Sequence, residues 1–161
     1  MIREARKSDV AAIHNLIVEL AIYEKEPESV ISTASDIEEN LFGANPSAFC
    51  HVAEVDGEIV GIAIWFLNYS TWLGKAGLYL EDLFVRPEFR GRGLGLQFMK
   101  TLAQISVERG YQRFQWWVLD WNEPSIAFYK SIGAQAMDEW TVYRLSGSAL
   151  SNFAASSTSD F

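Results

Sequence analysis

Cysteine and histidine are scarce in this chain, with one of the first and two of the second among 161 residues. A single thiol, Cys50, closes no internal disulfide, which suits a reducing compartment. No thiolate-stabilising neighbour is visible around it, so a buried structural thiol is expected rather than a nucleophile. His14 and His51 lie apart on an early helix and strand and fit no ligand spacing, so no metal is expected. Positive charge is also short. Against 21 Asp and Glu stand 13 Lys and Arg, a net charge of -8, which disfavours nucleic acid or an anionic membrane and is compatible with a cationic substrate. The richest apolar stretch, Ile59 to Leu67, is strand-length and too short to cross a bilayer. The first residues, Met1-Ile2-Arg3-Glu4, lack the apolar stretch of a signal peptide, so a cytoplasmic location is expected.

What is present argues for a folded chain: 49% of residues are hydrophobic and 14% aromatic. One domain over 1–150 is expected, with a Ser- and Ala-rich tail from 151 to 161. Ile2 to Arg6 reads as a short strand. Ser8 or Asp9 can cap a helix to about Tyr23 with Val10, Ile13, Ile17 and Leu20 on its buried stripe. Thr33 can cap a second helix from Ala34 to Phe42. Phe49 to Val55 and Glu58 to Asn68 read as strands joined by Asp56-Gly57, a hairpin signal. Leu78 to Val85 is a further strand, ended by Pro87. Leu94 to Arg109 has helical spacing (Leu94, Phe98, Leu102, Ile105) and stops at Gly110. Gln112 to Leu119 reads as a strand, Pro124 opens a helix to about Ile132, and Glu139 to Leu145 reads as the last strand. From Ser146 onward the composition is that of a floppy tail. The order is mixed α/β, with hairpins first and strand-loop-helix-strand-helix-strand after.

Within it, Leu80 to Gly95 places an apolar strand, three arginines, three glycines and a helix start in succession. Arg86, Arg90 and Arg92 put 3 of the 13 basic residues into seven positions of an acidic protein. Gly91, Gly93 and Gly95 allow a tight turn with bare N–H groups, and the helix beyond adds its unsatisfied donors and positive dipole end. A phosphate or pyrophosphate is the expected ligand. The G-x-G-x-G spacing, past mid-chain, is not the early G-x-G-x-x-G of dinucleotide folds, and the Gly-Lys-Ser/Thr of a P-loop is absent.

Arg90-x-x-Gly93-x-Gly95 after a strand resembles the R/Q-x-x-G-x-G/A acetyl-CoA motif of the GCN5-related N-acetyltransferase superfamily. Tyr23-Glu24, Ser70 to Lys75, Tyr79 to Val85, Trp121 to Ile126 and Phe128-Tyr129-Lys130 look like its spermidine/spermine (diamine) branch. That branch includes relatives preferring thialysine or related amino acids, and the resemblance covers roughly residues 2 to 150. It implies a twisted mixed sheet of six to seven strands with helices on both faces, splayed beside Leu83 to Val85. It also implies direct acetyl transfer from acetyl-CoA to a small amine, and a homodimer that uses Ser146 to Phe161.

The chemistry needs a deprotonated amine, a polarised thioester and a proton for the leaving thiolate. An alkylammonium has a pKa of about 10.4, so a carboxylate near it is wanted. Glu81 and Asp82 are adjacent on one strand, and on a regular strand only one can face the cleft unless a bulge intervenes. The resemblance makes Glu81 the amine-side carboxylate and Tyr129 the acid beside the cofactor sulfur, with Asp82 a substrate contact. It places acetyl-CoA on Leu83, Phe84, Val85, the loop Arg90, Gly91, Arg92, Gly93, Leu94 and Gly95, and on Asn122, Ser125 and Tyr129. The strand residues would pair with the pantetheine arm as an added strand does, and one of their N–H groups could polarise the thioester carbonyl. Tyr23, Glu24, Trp116 and Glu139 supply faces and charges suited to an alkylammonium chain. Trp72, Trp121 and Trp140 suggest a closed pocket and so a small substrate. Two other readings stand beside this one: a protein, peptide or drug amine as acceptor, or an acyl-CoA sensor without turnover.

Overall fold

A hairpin written as Asp56-Gly57 needs two residues in the left-handed region, and both adopt it, with φ of 51° and 83°. The computed structural model describes residues 1–157. It divides the chain into two compact units, Met1–Trp117 and Val118–Phe161. In the first, β1 (Ile2–Glu4), β2 (Phe49–Val55), β3 (Glu58–Ser70), β4 (Lys75–Val85) and β5 (Phe114–Trp116) form one sheet in the order β1-β2-β3-β4-β5. The first four pair antiparallel and β5 joins β4 in parallel. The class is the expected mixed α/β sheet, with five strands in place of six or seven.

One expected strand is shortened and another is missing. Gln112 to Leu119 contributes only Phe114–Trp116. Glu139 to Leu145 forms no strand: every residue there is exposed, Trp140 and Tyr143 included. Aromatic and β-branched residues favour strands through the half-buried surface they pack on, and this stretch has none. Conversely, part of the expected floppy tail is helical, as α5 (Gly147–Ala155). Residues 158–161 of that tail lie outside the described residues.

Helix α1 (Val10–Tyr23) buries Val10, Ile13, Leu16 and Leu20. Leu16, rather than the expected Ile17, completes the stripe, and Ile17 packs at its margin. Asp9 sits at the N-cap without capping. Its carboxylate instead takes the Arg6 N–H at 2.7 Å and two bonds from Arg3 at 2.7 and 3.1 Å. The stripe packs on Cys50, Val52, Ile62, Ile64 and Phe84. Helix α2 (Ala34–Phe42) starts at Thr33 in a reciprocal capping box with Asp36.

Helix α3 (Leu94–Glu108) buries Leu94, Phe98, Met99 and Leu102. A Cβ on Gly61 would stand 3.2 Å from the Phe98 ring. Gly61 alternates with Ile62 under α1, so α1 and α3 cover opposite faces of the sheet. Full burial makes Phe98 worth about 3–5 kcal/mol against alanine. In the second unit, α4 (Glu123–Ser131) carries Pro124 in its first turn and Asn122 at its N-cap. Among the described residues no helix is long and apolar enough to cross a membrane.

Candidate active site

Strand β4 changes character halfway along. Leu78, Tyr79 and Leu80 pair with β5, and beyond Leu80 the strand pairs only with β3 among the described residues. At the same point the register shifts: Ile64 faces Asp82 and Trp65 faces Leu80, so Glu81 is the extra residue of a bulge. The Arg86 N–H bonds to Val60 O at 3.0 Å. By antiparallel alternation, Phe84 also turns its backbone groups to β3, whereas Leu83 and Val85 turn theirs to the unpaired side. The Val85 carbonyl there accepts from Arg90 Nε at 2.8 Å. An open strand edge of this kind can take an extended amide-bearing ligand by main-chain hydrogen bonds.

The bulge also removes the strict alternation that would hold Glu81 and Asp82 on opposite faces. Glu81 is exposed and Asp82 half-buried. Burial, then the charges of Glu81 and Glu24, push the Asp82 carboxyl up to about 7. Burial also raises Glu24, at the end of α1. No ion pair to any of the three forms among the described residues. A carboxyl titrating near neutrality, beside two more acids, can bind a cation and exchange its proton.

Past β4, Gly91 and Gly93 take φ of 73° and 77°, the left-handed turn that leads into α3. The first bond of α3 runs from Gln97 N–H to Gly93 O at 2.9 Å. The N–H groups of Gly93, Leu94, Gly95 and Leu96 therefore lack partners inside the helix and suit an anion. Apart from its chain neighbours and the backbone of its own helix, no atom of the described residues lies within 4 Å of where a Gly95 Cβ would stand, which leaves room there for a close-lying ligand.

Of the three arginines, Arg86 does not belong to this site. It donates to Glu19 at 2.9 to 3.1 Å and pairs with Glu58, so its charge is already balanced. The excess of positive charge around the loop rests on Arg90 and Arg92. Arg92 lies over Phe89, 5.1 Å from the ring centroid. Arg90 lies over both Tyr23, at 5.0 Å, and Phe84, at 5.6 Å. These three side chains line a cleft of about 310 Å³ with Glu19, Ile22 and Pro87.

The other expected site residues are less closely grouped. Trp116 is half-buried on β5 beside Phe114. In the second unit, Asn122 is buried and its side chain accepts from Ser125 N–H, which makes it a helix cap. Ser125 and Tyr129 are half-buried one turn apart on α4, and Glu139 is exposed in irregular chain. Trp72 is 93% exposed, Trp140 71% and Trp121 46%, so these rings do not enclose a pocket. The Cys50 thiol is buried and pushed up to about 12, which removes it as a nucleophile. His51 accepts from Trp65 Nε1 at 3.1 Å, and His14 Nε2 lies 2.8 Å from Ser32 O. No group of metal-binding side chains forms among the described residues. Sequence reasoning missed the link between Arg90 and Tyr23, 67 positions apart, for which no local signal exists.

Comparison with known proteins adds independent findings. The profile of the acetyltransferase (GNAT) family matches residues 10–134. The thialysine N-epsilon-acetyltransferase of Bos taurus is 38% identical over 165 residues, covering 96% of each chain. The L-ornithine N5-acetyltransferase of Arabidopsis thaliana is 29% identical, over 92% of this chain and 85% of that one. Among solved structures, an integron cassette protein of V. cholerae superposes with a TM-score of 0.82 at 28% identity, covering 97% and 98% of the two chains.

Proposed function

The chain belongs to the acetyltransferase (GNAT) family and is an N-acetyltransferase, and from that premise we propose that it moves the acetyl group of acetyl-CoA directly onto a small amine. The acceptor is a polyamine, thialysine or a related amino acid. One observation carries the reading. The bulge at Glu81 and the end of β5 pairing coincide, which sets an open strand edge beside three carboxylates that form no ion pair among the described residues. The relatives named for thialysine and ornithine acetylation support an amine-bearing amino acid as acceptor.

In this mechanism the pyrophosphate of acetyl-CoA lies on the N–H groups of Gly93 to Leu96, aided by Arg92. Its pantetheine arm pairs with Leu83 and Val85, and one N–H of that edge donates to the thioester carbonyl oxygen as negative charge develops. The ammonium pairs with Glu24, Glu81 and Asp82. A bound cation favours the ionised form of Asp82, which then takes a proton from the amine, directly or through water, as nitrogen attacks the carbonyl carbon. Its half-buried place beside Glu81 and Glu24 favours Asp82, with Glu81 assisting, as the expected acceptor. The C–S bond breaks, the thiolate takes a proton from Tyr129, and the second proton that nitrogen sheds as the amide forms returns to Tyr129 through water. Asn122 and Ser125 would support the cofactor through α4.

The exposed Tyr69, Trp72 and Leu73 at the β3–β4 turn support the proposal of a homodimer, which light scattering tests; a monomer contradicts it. Because Trp72 is exposed, a peptide amine belongs in the acceptor panel. Release of free thiol from acetyl-CoA across diamines, basic amino acids and a peptide tests the function. Turnover on a diamine or basic amino acid is expected. No turnover on any of them contradicts it, and acetyl-CoA binding without turnover would instead favour a sensor.

A further inference from the structure

Two side chains at the last turn of α1 face different partners. Tyr23 is the final helical residue and Glu24 caps it. The chain then turns sharply, with Lys25 at φ 65°, an unusual conformation for a lysine. The Glu24, Lys25 and Glu26 N–H groups all fold back onto α1 carbonyls, at 2.9, 3.1 and 2.9 Å, so this end is fixed rather than frayed. Glu24 acts electrostatically on Asp82, among the carboxylates. Tyr23 lies under the guanidinium of Arg90, at the mouth of the glycine turn.

Arg90 itself is held from three directions. Its Nε–H reaches the Val85 carbonyl, on the open side of β4, and its Cζ lies over the rings of Tyr23 and Phe84. A guanidinium held over two rings with its Nε committed is pre-organised in a way that a free phosphate-binding arginine is not. It ties the end of the strand edge, the end of α1 and the start of the glycine turn to one another.

We propose that Arg90 is a positioning residue and that Tyr23 and Arg90 form a clamp through which the end of α1 sets the shape of the phosphate-binding turn. The amine-side carboxylates and the cofactor-side donors are thereby coupled through one helix end. The proposal rests on the acetyl-CoA reading above. Loss of the clamp leaves the N–H groups of Gly93 to Leu96 present but mis-set, so affinity for the cofactor falls while the chemical step is preserved.

Calorimetric titration with CoA, which needs no turnover, tests it on the full chain. Tyr23→Leu keeps an apolar side chain but loses the ring face, and Tyr23→Phe keeps the ring. The clamp predicts CoA affinity weakened roughly 3- to 10-fold in Tyr23→Leu and within about twofold of the parent in Tyr23→Phe. Arg90→Lys keeps the charge but loses the guanidinium over the two rings and the Nε–H, and it should weaken CoA to a similar degree. In Arg90→Lys the further change Tyr23→Leu should then add little, because the two act as one unit. In turnover the KM for acetyl-CoA should rise with kcat held. Thermal melting shows whether each variant is folded, and the double-variant comparison stands if one single variant is weakened. Unchanged affinity in Tyr23→Leu, equal loss in Tyr23→Phe, or additive losses in the double variant each overturn the clamp. A parent protein that fails to bind CoA overturns the acetyl-CoA reading instead.

Discussion

Two aspartates in the same unit are both largely withdrawn from water, and the structure treats them in opposite ways. Asp9 accepts the Arg6 N–H and two bonds from Arg3, and its carboxyl is held below the usual range chiefly by the Arg3 hydrogen bonds. Asp82 has Glu81 and Glu24 for neighbours and is pushed up to about 7, chiefly by burial. A buried carboxylate supplied with a cation holds a fold together. One supplied with more carboxylates stands at a cost to the fold, and it makes sense where a cation arrives from outside. On this contrast we propose a functional role for Asp82 and an architectural one for Asp9.

The largest effect should come from breaking the functional member. Asp82→Asn is expected to lower kcat/KM with the preferred amine on the order of 10²–10⁴-fold, measured by thiol release. The same change should stabilise the fold at pH 8. A folded-state pKa raised from 3.8 to about 7 means the contribution of Asp82 is intact below 3.8 and lost as pH rises through 7. The shift sets an upper bound of about 4 kcal/mol on that gain, and denaturant titration at pH 8 and pH 4 should show it at the first only.

Breaking the architectural member should do the reverse. Arg3→Leu leaves Asp9 without its cation and should cost about 2–4 kcal/mol of stability at pH 7 by denaturant titration. The activity of the molecules that remain folded should stay unchanged. Asp9, with its lowered folded pKa, contributes stability above about 4, lost as pH falls through the folded value. If Arg3→Leu abolishes activity in folded protein, the division between the two aspartates fails.

A smaller effect sharpens the pH picture. His51 is held neutral by burial and accepts from Trp65 Nε1. Its contribution is complete above its unfolded value near 6.5 and is lost as pH falls from there toward the lower folded pKa. Trp65→Phe removes the donor and should flatten that acid limb, at a cost of about 1 kcal/mol near pH 7. An acid limb of the same slope in the variant would remove His51 from the account.

Local signals were legible in the sequence and long-range ones were not. Thr33 marked the start of α2, Asp56-Gly57 the hairpin, and Gly110 the end of α3, because each acts through bonds a few residues long. Arg86 read as part of an anion site because Glu19 is 67 positions away in the chain. The bulge at Glu81 depends on how β3 aligns with β4, which no pattern within Leu78 to Val85 encodes. Glu139 to Leu145 has a strand's composition, yet in the structure no neighbouring strand pairs with it. At the candidate site the residue types were legible, whereas the greater burial of Asp82 than of Glu81 was not.

The pH dependence of kcat/KM, compared between the parent enzyme and Asp82→Asn at saturating acetyl-CoA, tests the central claim most directly. The account predicts a rise through an inflection near 7 in the parent that is missing from the variant. An inflection that persists unshifted in Asp82→Asn would contradict it.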